Sequence, residues 1–140
     1  MPRIVRINHI GLAVQDAAPA TTFWQALGLP LAGSDAVPND RVAVRFLPIG
    51  ESRIELLEPQ GEEGPVQKFL ANRGEGLHHL CLEVEDLDGL LVQLQTAGVE
   101  LIDQQARPGA HGSRVAFIHP RAAHGVLVEL MESGSGNGAH

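Results

Sequence analysis

The sequence predicts an α+β fold built from two tandem βαβββ modules. Two observations carry this: the chain repeats its opening pattern, and each copy closes on the same pattern. His9-Ile10-Gly11-Leu12-Ala13-Val14-Gln15-Asp16 is followed seventy residues later by His79-Leu80-Cys81-Leu82-Glu83-Val84-Glu85-Asp86. The first copy closes with Ile54-Glu55-Leu56-Leu57-Glu58 and the second with Val128-Glu129-Leu130-Met131-Glu132. A repeat of this length, present twice, is a duplicated module and not a solenoid. Each half opens a strand with a histidine and ends with a glutamate inside an apolar strand. If a pseudo-two-fold relates the halves, two imidazoles and two carboxylates converge. That is a donor set for a first-row divalent metal with room left for substrate.

The elements follow in order. Ile7 to Val14 reads as a strand, with His9, Gly11 and Ala13 on one face and Ile10, Leu12 and Val14 on the other. Asp16 is suited to cap a helix from Ala17 to Leu27, which Gly28 ends. Val42 to Leu47 and Arg53 to Leu57 read as strands joined by a turn at Gly50. A polar linker, Glu58 to Gly64, leads to a short helix opened by Pro65, with Val66, Phe69 and Leu70 apolar. In the second copy His79, Cys81 and Glu83 share one face. Leu87, Leu90, Leu91 and Leu94 make a helical stripe ended by Gly98. Val115 to Ile118 and Val126 to Met131 are the last strands. The expected organisation is one domain, 1–132. Module one covers about 6–58, a linker helix about 59–76 and module two about 77–132, with a flexible tail over 133–140.

Bulk properties narrow the function. At 140 residues and 44% apolar content the chain is long enough for a real core. A net charge of −7 argues against a general nucleic-acid binder, which needs a phosphate-neutralising surface. No apolar run approaches a membrane span, and the first residues lack the apolar core of a signal peptide. The single cysteine, Cys81, excludes an intramolecular disulfide and suits the cytoplasm.

The candidate metal ligands are His9, Glu55, His79 and Glu129. A carboxylate among Ile54, Leu56 and Leu57 is costly unless paired or metal-bound, and Glu129 repeats that cost among Val128, Leu130 and Met131. The small Gly11, Ala13 and Cys81 beside the histidines fit a face that lines a cavity. Cys81 itself has no neighbouring base and reads as a buried apolar thiol. His78 points away from His79. His119 and His124 lie in a turn-rich segment with structural or substrate-facing roles. Glu83 shares the His79 face and is a candidate supporting group. Gly109-Ala110-His111-Gly112 is a covering loop. Arg53, Lys68, Arg73 and Arg121 are candidate phosphate partners.

Taken together, these residues resemble the vicinal oxygen chelate, or glyoxalase-like, superfamily, and within it the methylmalonyl-CoA epimerase family. Beyond the histidine and glutamate strands, the likeness rests on Gly76-Leu77-His78-His79-Leu80, Pro65-Val66-Gln67-Lys68-Phe69-Leu70, Gly109-Ala110-His111-Gly112, Val115-Ala116-Phe117-Ile118-His119-Pro120 and Gly125-Val126-Leu127-Val128-Glu129-Leu130. It runs from about Ile7 to Glu132. The resemblance implies an open, curved mixed sheet around a metal-containing cavity. It implies metal ligation by His9, Glu55, His79 and Glu129, commonly of cobalt, with zinc, manganese or nickel as alternatives. It further implies an acyl-CoA substrate, methylmalonyl-CoA, and a homodimer. Some members carry glutamine at the place of Glu55 and a glutamate on the preceding strand. Here that strand reads Val42-Ala43-Val44-Arg45, so the expected proton-transferring pair is Glu55 and Glu129. The alternatives are a lactoylglutathione lyase on the same metal set and a non-catalytic metal-dependent binding protein of the same fold. A ring-cleaving dioxygenase, with its three-ligand iron site, fits less well.

Overall fold

The computed structural model describes residues 1–37 and 41–134. They divide into two compact units, His9–His78 on one side and Met1–Asn8 with the chain from His79 on the other. The divisions fall inside two strands, each time at one of the repeated histidines.

In the unit from His9 to His78 the order is β1 (Arg3–Ala13, entering at His9), α1 (Ala17–Ala26), β2 (Gly33–Val37), β3 (Val42–Ile49), β4 (Ser52–Pro59) and α2 (Pro65–Arg73). The strands hydrogen-bond in the order β2-β3-β4-β1. β1 runs parallel to β4, while β3 is antiparallel to both β2 and β4, so this half is a mixed sheet. Alternation sends Ile10, Leu12 and Ile54 to the face covered by α1, where they pack with Leu47, Leu56, Ala17 and Trp24. The opposite face buries Ala13, Val42, Val44 and Leu57 under Val66 and Leu70 of α2. The histidine face is therefore filled at Ala13, where small side chains had suggested open space. α2 supplies the apolar cover that alternation alone does not reveal.

The other unit contains β5 (Gly76–Glu85, entering at His79), α3 (Leu87–Thr96), β6 (Arg107–Pro108), β7 (Arg114–Ile118) and β8 (Leu127–Glu132). Its order is β5-β8-β7-β6, with β5 parallel to β8 and the other pairs antiparallel. Val84, Leu87, Leu91, Leu101, Ala116 and Leu130 form its core, so the leucine stripe of α3 covers one face. Asp86 caps α3 from a left-handed backbone, accepting from the Gly89 amide at 3.1 Å. A Cβ at position 89 would meet that carboxylate, which would have to shift to make room.

The first residues of the chain belong with this unit. Arg3 pairs with Glu85 at 2.7 Å, and Arg6 with Glu83 at 3.1 Å. The βαβββ order holds in both halves, with one difference in weight. β2 has five residues and its counterpart β6 has two. Leu101 makes an isolated antiparallel bridge to Ile118. Of the tail expected over 133–140, everything beyond Gly134 lies outside the described residues. Among the described residues, no helix is long and apolar enough to cross a membrane.

Candidate active site

Two strand pairings hold the candidate residues, one in each unit. On β1, His9 and Gly11 share a face, and Gly11 stands opposite Glu55 of β4. That register brings His9 Nδ1 to 3.4 Å from Glu55 Oε2. On β5, Cys81 stands opposite Glu129 of β8, two residues beyond His79. His79 Nε2 lies 3.7 Å from Glu129 Oε1. The parallel ladders thus place each glutamate beside the residue two past each histidine. His9, Glu55 and His79 are buried, and Glu129 is half-buried. On the flanking antiparallel strands, Phe46 stands opposite Glu55 and Phe117 opposite Glu129. The repeat therefore extends to a phenylalanine beside each carboxylate.

The electrostatics of the first pair are specific. Burial pushes the Glu55 carboxyl above the usual carboxylate range, and the neighbouring Arg53 guanidinium pulls the other way. Arg53 Nε and Nη2 each lie 2.7 Å from Glu55 Oε2. Arg53, read from sequence as a candidate phosphate partner, is committed to this carboxylate. The signal was present, since residues two apart on a strand share a face.

The other candidates have assigned places. Glu83 is buried and accepts from Arg6 at 3.1 Å, Asn8 at 3.4 Å and Ser133 Oγ at 2.9 Å. Cys81 is buried and in no disulfide. The His78 ring packs edge-on against Phe69 of α2, with centroids 5.0 Å apart, and burial lowers its pKa. His119 Nδ1 accepts from the Arg121 amide at the start of a 3-10 turn over Pro120–Ala123, and His124 closes that turn in a left-handed conformation. Both are structural in this role. Arg121 pairs with Glu100 at 2.7 Å, and Arg73 lies over Phe69 at 5.5 Å. The segment Ala110–Gly112 forms a 3-10 turn with His111 left-handed.

Sequence reasoning did not single out Glu58 and Glu132, which stand three residues beyond Glu55 and Glu129. Glu58 accepts from the Ala17 amide at 2.9 Å, and Glu132 from the Leu87 amide at 3.3 Å. Each caps the helix that follows the histidine strand of its own half, where the helix dipole favours a carboxylate.

A duplicated βαβββ chain with a His–Glu pair in each half is the arrangement of one known class. Residues 8–117 match the model of the Glyoxalase/Bleomycin resistance protein/Dioxygenase superfamily, and the chain belongs to that superfamily and, within it, to the methylmalonyl-CoA epimerase family. It is 35% identical to the mitochondrial methylmalonyl-CoA epimerase of Homo sapiens, over 91% of this chain and 74% of that protein. It is 38% identical to the ethylmalonyl-CoA/methylmalonyl-CoA epimerase of Cereibacter sphaeroides, over 91% of this chain and 97% of that one. A solved methylmalonyl-CoA epimerase in complex with methylmalonyl-CoA and NH4+ superposes with a TM-score of 0.84 at 34% identity, covering 95% and 97% of the two chains.

Proposed function

We propose that this chain interconverts the two C2 epimers of methylmalonyl-CoA by a two-base proton transfer. The observation that carries the reading is the His–Glu pair, present twice in the same strand register within a chain of the epimerase family. The C2 hydrogen of such a substrate lies between a thioester carbonyl and a carboxylate, so its removal leaves an enolate-like anion. Inversion needs proton removal on one face of C2 and delivery on the other. Glu55 and Glu129 are the pair we assign to these two steps.

The donor chemistry fits a divalent metal held by His9, Glu55, His79 and Glu129, because each half offers one imidazole nitrogen within 3.4 or 3.7 Å of a carboxylate oxygen. Cobalt is the proposed ion. When bound it supplies Lewis-acid stabilisation of the oxyanion, on the order of several kcal/mol. The imidazoles hold position, and His9 and Glu55 are themselves buried from water. Glu83 is left out of the proton transfer, because Arg6, Asn8 and Ser133 already engage both of its oxygens.

The test is exchange at C2 in deuterated water with cobalt-loaded protein. Glu129→Gln should lose epimerisation and keep wash-out of the C2 hydrogen from one epimer. Glu55→Gln should show the opposite preference. Near-normal epimerisation in both variants, with activity abolished in Glu83→Gln, would transfer the base to Glu83. Turnover of the methylglyoxal–glutathione adduct with none of methylmalonyl-CoA would replace the epimerase reading by the lyase. We further propose a homodimer, on the family resemblance, and a cytoplasmic location, on a sequence whose single cysteine allows no intramolecular disulfide. Sedimentation and fractionation test these.

A further inference from the structure

We propose that Arg53 is a positioning residue for the epimerisation, clamping Glu55 so that the two carboxylates of the site do unequal work. This rests on the proposed two-base function. The position matching Arg53 in the second half is Leu127, since Arg53 pairs with His9 and Leu127 with His79 in the two parallel ladders. The repeat otherwise holds at the histidine, the glutamate and the facing phenylalanine. Arg53 is thus a break in the charge pattern at the centre of an otherwise matched set.

The geometry is that of a fixed clamp. Nε and Nη2 both reach one oxygen, Oε2, at 2.7 Å, and His9 Nδ1 approaches the same oxygen at 3.4 Å. The guanidinium carbon lies over the Phe46 ring, 5.4 Å from its centroid, and Phe46 is the residue opposite Glu55 on β3. Stacking on a side chain anchored in the sheet holds the planar guanidinium in place. Two charged donors on one oxygen hold the Glu55 carboxylate in one orientation beside His9. The guanidinium also offsets one of the two negative charges in the donor set. Arg53 is only partly exposed, so its partner is not fully screened by solvent.

The test compares Arg53→Gln with wild type in two readouts. The first is cobalt affinity by calorimetric titration, which is independent of turnover; a loss of about 10–100-fold is expected for a lost supporting contact. The second is C2 wash-out, where Arg53→Gln should reproduce the epimer preference of Glu55→Gln in weaker form. Arg53→Lys keeps the charge but not the fork, and should recover only part of either effect. Phe46→Leu, which removes the platform and leaves Arg53 and Glu55, should move both readouts in the same direction. Cobalt affinity and wash-out in Arg53→Gln indistinguishable from wild type would overturn the proposal. An equal slowing from both epimers with unchanged cobalt affinity would also overturn it. If wild-type protein neither binds cobalt nor exchanges C2, the epimerase reading itself fails and takes this one with it.

Discussion

Four residues past its histidine, each half does something different on the same face. In the first half the residue is Ala13, fully buried against Val66 and Leu70 of α2. In the second it is Glu83, also buried but held by Arg6, Asn8 and Ser133. One face is closed by apolar packing against a helix. The other is closed by a polar clasp between the start of the chain and the residue after β8. A buried carboxylate is tolerated only when its lone pairs are taken, and here three donors take them. The duplication thus kept the His–Glu register in both halves and let the closure of the face diverge. Chemistry near the histidines constrains the donors, whereas any solution that satisfies burial will close the sheet.

This contrast can be broken most severely at the proposed metal ligands. His9→Ala and His79→Ala should each abolish cobalt binding and epimerisation, and removing metal with a chelator should lower the melting temperature of wild type while leaving the His variants unmoved. A differential melting curve with and without cobalt reads this. A variant that retains cobalt-dependent stabilisation removes that histidine from the site.

The cores should respond alike. Leu56 and Leu130 each follow the site glutamate and are almost fully buried. Truncation to alanine should cost about 2–5 kcal/mol in either half. Denaturant unfolding measures both, and a large inequality would show that the two cores do not contribute equally.

The clasp and the helix under Ala13 should not respond alike. Glu83→Gln should cost about 1–3 kcal/mol by weakening charge-assisted bonds to Arg6, with cobalt affinity unchanged. A loss of cobalt binding at unchanged stability would move Glu83 from the clasp into the metal site. The smallest effects are expected at the helix caps. Glu58→Ala and Glu132→Ala remove carboxylates that accept from the first amides of α1 and α3, worth about 0.5–2 kcal/mol each. Glu132→Ala should be the larger of the two, since Glu132 also pairs with Arg114 at 3.1 Å. Hydrogen exchange at the first turns of α1 and α3 would separate the two.

What the sequence determined by itself is the module order and which histidine lies beside which glutamate. Strand alternation, helical spacing and a charge inside an apolar strand are local signals, and repetition made them reinforce one another at His9, Glu55, His79 and Glu129. β2 was not legible, because Gly33 to Val37 lies mostly exposed and so carries no alternation. The tertiary structure decided which distant groups meet. Arg6 and Asn8 reach Glu83 from more than seventy positions away, and Glu58 caps a helix forty-one positions before it. It also decided that α2 covers Ala13, and that Arg53 turns to Glu55 and Phe46. Side chains of one type can serve a surface, a cap or a clamp. Only the folded register sets which partner lies within hydrogen-bonding distance, and distance decides the role.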